Sequence, residues 1–105
     1  MAILTIDNDG LNAGPFAAAP IAASTTNATF YALNMTNSVL RFDIGGPVAE
    51  VTANPSSLTV PANSFVEFTA SNSDTSAHTV DFSNIRTAHG TSAQTGQVLV
   101  AAVSA

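Results

Sequence analysis

The sequence contains no cysteine, no tryptophan and no lysine, and these absences exclude several kinds of protein. Without cysteine the chain forms no disulfide bond, has no thiolate nucleophile and offers no cysteine-ligated metal site. The only fixed positive charges are Arg41 and Arg86, and the formal net charge is −5. Binding to nucleic acid or to an anionic membrane depends on clustered basic residues, so we expect neither as a partner.

Long apolar runs and a basic N-terminal leader are also missing. No stretch approaches the roughly 20 apolar residues that a membrane-spanning helix needs. The segment 1–7, Met-Ala-Ile-Leu-Thr-Ile-Asp, has no basic residue before its apolar part, unlike a secretory signal peptide. We therefore expect the chain to be made and assembled inside a cell, unless a leader was removed.

The composition predicts one small domain with a thin core. A chain of 105 residues is long enough for one hydrophobic core and too short for two, so we predict a single domain over 1–105. Hydrophobic residues make up 46% of the sequence, but much of this share is alanine, and large apolar side chains are spread thinly. Two facing sheets would bury such a composition.

Apolar and polar residues alternate with a period of two in several segments, as in β-strands with one buried face. In the clearest case, Leu40, Phe42 and Ile44 alternate with Arg41 and Asp43. Turn-forming Gly, Pro, Asn and Ser residues separate these segments. We predict an all-β fold, a small immunoglobulin-like or Greek-key β-sandwich of about seven or eight strands. The predicted strands lie near residues 3–6, 28–35, 38–44, 48–53, 57–60, 64–71, 77–83 and 97–103.

Two segments lack this strand pattern. Residues 11–27 contain two prolines and little apolar mass, and we predict an extended arm or long loop there. Residues 87–97 are predicted to form a second long loop. We expect a chain without residues 11–21 to fold but not to attach to its partner. The predicted anchors of the arm are Pro15, Phe16, Pro20 and Ile21.

The two histidines, His78 and His89, are candidates for catalysis or metal binding. No Gly-x-Ser-x-Gly turn or comparable nucleophile motif accompanies them. His78 shares a predicted strand face with Val80 and Phe82, so we expect a half-buried side chain that is hydrogen-bonded to backbone. His89 lies beside Gly90 in the second loop, at solvent or at an interface. We therefore predict no catalytic residue, no metal site and no cofactor, and we predict that the chain is not an enzyme.

Residues 54–68, Asn-Pro-Ser-Ser-Leu-Thr-Val-Pro-Ala-Asn-Ser-Phe-Val-Glu-Phe, are followed by Ala-His-Thr-Val-Asp-Phe at 77–82. Together they resemble a strand pair of cupredoxin and immunoglobulin-like sandwiches. In cupredoxins the histidine of a similar His-Thr-Val segment binds copper, and His78 would be that residue. The cysteine ligand of the family is absent here, and a blue-copper site cannot form without its thiolate. The resemblance therefore implies the sandwich and not the copper.

Four features describe the chain as a whole: the Met1 start, an uncharged surface of Ser, Thr, Asn and Ala, the Ala- and Pro-rich segment 11–27, and the ending Val-Leu-Val-Ala-Ala-Val at 98–103. In these features it resembles the small decoration, or cement, proteins of tailed-phage capsids. The resemblance implies a β-sandwich that clusters on the capsid shell, often as a trimer, and bridges capsomers. It implies the major capsid protein or another shell subunit as partner, and the virion surface as location after assembly in the host cytoplasm.

The alternative is a surface module that binds carbohydrate or protein, because small β-sandwiches commonly serve this role. Carbohydrate modules usually present aromatic platforms, and Tyr31 is the only tyrosine of a chain without tryptophan. Binding to a glycan array that is lost on Tyr31→Ala would support this alternative. A metal-dependent enzyme or electron carrier is a third possibility, and it would require bound metal in the natively purified protein.

Overall fold

A computed structural model describes residues 2–6, 11–12, 16–87 and 96–103, where it places ten β-strands. Within these ranges there is no helix, and hence none that could cross a membrane. The predicted all-β fold is confirmed. The strands are β1 (Ala2–Ile6), β2 (Leu11–Asn12), β3 (Phe16–Ile21), β4 (Thr25–Asn34), β5 (Leu40–Gly45), β6 (Val51–Asn54), β7 (Ser57–Val60), β8 (Ser64–Asn72), β9 (His78–Thr87) and β10 (Gly96–Val103).

The strands form two antiparallel sheets that enclose one core. Sheet A has the order β1-β10-β4-β8-β6. Sheet B has the order β2-β9-β5-β7, and β3 also pairs with β9, along a different part of that strand from β2. This arrangement is a small β-sandwich, as predicted.

Strands that follow each other in the sequence do not pair within the described residues. β5, for example, pairs with β7 and with β9. From β3 onward, each connection crosses from one sheet to the other. Alternation along a strand indicates which face is buried but not which strand lies beside it. The strand order therefore could not be predicted from the alternation.

The core is built from the apolar phase of each strand. Leu40 and Phe42 are 0% and 2% exposed, as their alternation predicted. Phe30 stacks on Phe68 within sheet A, with ring centroids 5.5 Å apart, and Phe68 lies 6.3 Å from Phe82 of sheet B. Burying one such side chain contributes about 1.5–3 kcal/mol, so these rings supply much of the adhesion between the sheets.

A buried asparagine closes the connection from β4 to β5. Asn34, the last residue of β4, is 0% exposed. Its Oδ1 accepts a hydrogen bond from the N–H of Thr36 (2.9 Å), and its Nδ2 donates to the carbonyl of Ser38 (2.7 Å). Nδ2 also lies within hydrogen-bonding distance of the carbonyls of Val60 (3.0 Å) and Pro61 (3.1 Å), beside the end of β7. This side chain therefore fixes the turn and ties sheet A to sheet B.

Asn72 makes the same contacts at the opposite end of the sandwich, in the connection from β8 to β9. It is the last residue of β8 and is also 0% exposed. Its Oδ1 accepts from the N–H of Asp74 (3.0 Å), and its Nδ2 donates to the carbonyls of Ser76 (2.9 Å) and Ala22 (3.2 Å). The two connections are thus held by matched asparagines.

The eight predicted strands are all present, with some ends displaced. The strand predicted over 48–53 begins at Val51, whose N–H donates to the carbonyl of Val48 in a preceding turn (3.2 Å). The strand predicted to end at 83 continues to Thr87, where it still pairs with β5. Strand ends are set by such turn contacts and by neighbouring strands, which the alternation does not encode.

The segment 11–27 is not the predicted arm or long loop. It contributes β2, β3 and the start of β4 to the two sheets. β3 pairs along β9 with one shift of register, between Ala17 and Ala19. Pro20 is accommodated because the described ladder of β3 lies on one side only, and edge strands accept proline. The prediction was wrong because this alanine-rich strand has too few large side chains to show an alternation.

β3 also belongs to the core. Ala18, Ala19 and Ile21 are 2%, 4% and 2% exposed. Removing residues 11–21 would leave these core positions empty and would unpair one edge of β9. The expectation that a chain without residues 11–21 still folds is therefore corrected: we now expect it to unfold.

The second predicted loop, 87–97, overlaps a strand at each end. β9 includes Thr87, and β10 begins at Gly96. Residues 88–95, among them His89, lie outside the described residues. The interpretation of His89 as a solvent or interface residue stays a prediction.

Candidate functional site

Charged residues are unevenly divided between the two sheets. The strands of sheet A contain one charged residue, Glu67. The strands of sheet B contain four residues of fixed charge, which are Arg41, Asp43, Asp81 and Arg86. Because charged groups prefer water, the exposed Arg41 and Asp43 give sheet B a charged outer face, whereas the outer face of sheet A is nearly uncharged.

An apolar patch lies on this uncharged face. Tyr31 and Leu33 occupy the phase of β4 opposite to the buried Phe30, and Phe65 of β8 stands directly across from Leu33. Among the described residues, Phe65 and Met35 are the exposed large hydrophobic side chains, at 63% and 52% exposure. We call Tyr31, Leu33, Met35 and Phe65 the outer patch.

Two aromatic rings form the centre of the outer patch. The ring centroids of Tyr31 and Phe65 are 5.4 Å apart, and their planes meet at 89°. Such an edge-to-face contact is worth about 0.5–1.5 kcal/mol beyond the burial of the rings, so each ring holds the other in place. The result is a preformed apolar corner and not a flat platform of parallel rings.

At the opposite end of the sandwich, His78 and Asp74 form a close pair. His78 is the first residue of β9, and Asp74 lies in the connection that precedes it. The imidazole Nε2 is 2.7 Å from the carboxylate Oδ2, and the two side chains are 19% and 32% exposed. Asp74 is positioned by the N–H of Thr75 on its Oδ1 (2.7 Å) and by the N–H of Ser24 on its backbone carbonyl (2.9 Å).

The hydrogen bond with His78 lowers the pKa of Asp74 below its ordinary value of 3.8, and the N–H of Thr75 acts in the same direction. Partial desolvation opposes these two effects without cancelling them. The carboxylate is therefore stabilised in its charged form, which keeps it an acceptor for the imidazole near neutral pH. The pair orients the ring of His78.

The pair does not extend to a catalytic or metal-binding set within the described part of the chain. No side-chain hydroxyl is hydrogen-bonded to His78 there. In the same ranges, no group of three or more His, Asp or Glu residues could hold a metal ion. The predicted backbone partner of His78 is wrong, because the turn fixed by Asn72 folds the side chain of Asp74 against the ring instead.

The predicted arm anchors do not form one surface site. Ile21 is 2% exposed within the chain's own core, whereas Pro20 is exposed. Pro15 and the side chain of Phe16 lie outside the described residues. β3 belongs to sheet B, so Pro20 and Ile21 are separated from the outer patch of sheet A. A role for Pro15, Phe16 and Pro20 in binding a partner stays a prediction.

Leu33, Met35 and Phe65 were not among the functional candidates predicted from the sequence. A signal was present for Phe65, because a strand that buries Val66 partly and Phe68 fully must turn Phe65 outward. An apolar residue in the outward phase of a half-buried strand is the feature to look for. Tyr31 was considered only as a sugar-binding residue.

The outer patch and the His78–Asp74 pair are the two sites that stand out among the described residues. The patch suits apolar contact with another molecule. The pair suits hydrogen bonding or a response to pH. No protein-family model, curated protein or solved structure matches this chain.

Proposed function

We propose that the chain is a non-enzymatic attachment protein that decorates a protein shell, in the manner of a capsid decoration protein. One observation carries the proposal: the outer face of sheet A is nearly free of charge and presents the exposed side chains of Phe65 and Met35. Phe65 contacts Tyr31 and pairs with Leu33, and adjoining apolar side chains on an uncharged face favour a contact surface for another macromolecule. The charged face of sheet B then remains in solvent and keeps the attached protein hydrated.

The size of the outer patch favours a repetitive partner. A stable interface buries about 800 Å² on each protein, whereas four side chains already packed against the sheet offer roughly a few hundred Å². One such contact is weak, but linked copies on a lattice of identical subunits gain avidity. We therefore propose a homo-oligomer, such as a trimer, that binds the major capsid protein or another shell subunit. Its place is the virion surface, after assembly in the host cytoplasm.

The aromatic pair argues against carbohydrate as the ligand. A sugar ring packs flat against the face of an aromatic ring, and extended platforms need rings whose faces point the same way. Tyr31 and Phe65 meet at 89°, so they cannot share one sugar-stacking plane. The carbohydrate-binding alternative would be supported by glycan binding that is lost on Tyr31→Ala.

Attachment is tested with shells purified from the virus that encodes the chain and stripped of their surface proteins. We expect the full-length wild type to sediment with these shells. Phe65→Ser should weaken binding at least about ten-fold, or about 1.4 kcal/mol, which is within the range for burial of one Phe side chain. Arg41→Gln, an exposed change on sheet B, is the matched control and should bind as the wild type does. Wild type that stays in the supernatant with intact shells would contradict the proposal.

A further inference from the structure

The sandwich consists of two similar units. The first unit comprises β3 to β6, and the second comprises β7 to β10. Sheet A contains the four strands β10-β4-β8-β6, and sheet B contains β3-β9-β5-β7. Exchanging the units swaps β3 with β7, β4 with β8, β5 with β9 and β6 with β10. After this exchange each sheet has the same strand order, read from its opposite edge. β1 and β2 stand outside this relation.

The pairing register follows the same two-fold relation. Phe30 stands opposite Phe68 in sheet A, and Ile44 stands opposite Phe82 in sheet B. Both pairs of residues are 38 positions apart. A two-fold axis that passes through both sheets relates each residue of the first unit to the residue 38 positions later. Where the axis crosses a pair of neighbouring strands, the two paired residues must therefore be 38 positions apart.

The sequence keeps this offset. Residues 28–45 and 66–83 align at it without a gap. Five positions are identical, namely Phe30 and Phe68, Ala32 and Ala70, Asn34 and Asn72, Ser38 and Ser76, and Asp43 and Asp81. The two buried asparagines also bond alike, each accepting from the N–H two positions later and donating to the carbonyl four positions later.

We infer that the chain is an internal duplication of a four-stranded unit, and that one of the two equivalent ends of sheet A is specialised to dock an apolar, carboxylate-free surface of a shell protein. The duplication stands on topology, register and sequence. The docking role rests on the proposed function and names the chemistry of its partner.

The two ends of the outer face of sheet A differ in chemistry. Each residue of the outer patch has a polar counterpart 38 positions away: Thr69 for Tyr31, Ser71 for Leu33, Ser73 for Met35 and Asn27 for Phe65. The counterparts Asn27 and Ser73 are exposed, as Phe65 and Met35 are. On β8, Thr69 and Ser71 therefore place polar side chains at the strand positions that Tyr31 and Leu33 hold on β4, whereas Asn27 lies at a bulge of β4 with a φ of 50°. Since the fold does not need apolar residues there, the outer patch is explained by a partner.

The chemistry of the patch specifies that partner. The right-angled rings and the leucine present a fixed apolar surface, and the flexible thioether of Met35 adapts to the shape of an apolar neighbour. Glu67, the one charged residue of the sheet A strands, pairs with Tyr31 in register and is exposed. A carboxylate on the partner would be repelled at this border. An apolar surface without acidic side chains is the occupant that fits.

The duplication supplies its own test, because each patch residue can be replaced by its counterpart. The exchange variant is Y31T/L33S/M35S/F65N in the full-length chain. We expect the far-ultraviolet circular dichroism of the wild type and a Tm within about 5 °C of it, since three of the new side chains already serve the other end and Phe65 is exposed. Sedimentation with the stripped shells should weaken at least about thirty-fold, as expected when a cluster of hot-spot side chains is lost.

A transplant variant is the matched gain-of-function change. T69Y/S71L/S73M places three of the patch side chains at the equivalent end; Asn27 is left unchanged because its φ of 50° is strained for phenylalanine. Added to the exchange variant, this transplant should recover part of the lost attachment, because Thr69 pairs with Thr29 as Tyr31 pairs with Glu67.

The outcomes separate the inference from the proposed function. An exchange variant that does not fold, or that attaches as well as the wild type, overturns the inference and leaves the proposed function standing. A transplant that recovers no attachment overturns the equivalence of the two ends. Wild type that does not bind the shells overturns the proposed function, and the docking role falls with it.

Discussion

At the scale of single residues, Asn34 and Asn72 decide where the chain crosses between the sheets. Each amide bonds to backbone groups of its own turn and to a carbonyl at or just after the end of a sheet B strand. Buried polar groups are tolerated when they are hydrogen-bonded in this way. Asparagine is usually a surface residue, so the sequence pattern indicated turns at these positions and did not indicate burial.

Asn34→Ala should destabilise the protein by about 2–4 kcal/mol, because it leaves several buried backbone groups without a partner and each costs about 1–3 kcal/mol. Urea unfolding followed by circular dichroism measures this change. Asn37→Ala, in the same connection but exposed, should change the free energy of unfolding by less than about 0.5 kcal/mol. Equal effects of the two substitutions would show that the buried amide does not hold the turn.

Asp74 makes a second prediction at this scale, on acid stability. Its pKa is lowered in the folded chain, chiefly by His78, so its contribution is fully present above the ordinary value of 3.8 and is lost as the pH falls through the lower folded value. Between about pH 5 and about pH 2.5, the Tm of the wild type should therefore fall more steeply than that of Asp74→Asn.

The control for this comparison is Glu50→Gln, which also removes one exposed carboxylate but leaves the pair with His78 intact. Its pH dependence should follow that of the wild type. Parallel Tm curves for the wild type and Asp74→Asn would show that the pair does not couple to folding.

At the scale of elements, alternation predicted the strands that carry large apolar residues and missed those that do not. β5 shows its buried face in Leu40, Phe42 and Ile44, and the structure agrees. β3 fills its buried positions with Ala18, Ala19 and Ile21, which give little contrast with their neighbours. Its strand conformation is imposed by pairing with β9, a contact distant in sequence.

Ile21→Ala tests whether β3 is part of the core. Removing a buried isoleucine side chain costs about 2–5 kcal/mol, and the free energy of unfolding in urea should fall by an amount in this range. Pro20→Ala, at the neighbouring exposed position, is the control and should have an effect below about 1 kcal/mol. A small effect of Ile21→Ala would restore the original view of this segment as an arm independent of the domain.

At the scale of the whole molecule, charge and symmetry are properties of the assembled sheets. Glu67 of β8 and Arg41 of β5 both point outward from their strands. Glu67 lies on the nearly uncharged face of sheet A, whereas Arg41 lies on the charged face of sheet B. The division arises from which strands join which sheet. The outer patch likewise combines residues of β4 and β8 that are some thirty positions apart and become neighbours through antiparallel pairing.

The amino-acid sequence by itself determined the all-β class, the single sandwich and the buried phase of the major strands, because a period of two in large apolar residues depends only on local order. It also contained the polar residues 38 positions away from the outer patch, which a period of two does not relate to the patch. The tertiary structure alone decided the strand order, the incorporation of β3, the carboxylate partner of His78 and the cluster around Phe65. Each of these depends on contacts between residues distant in the chain, which local periodicity does not encode.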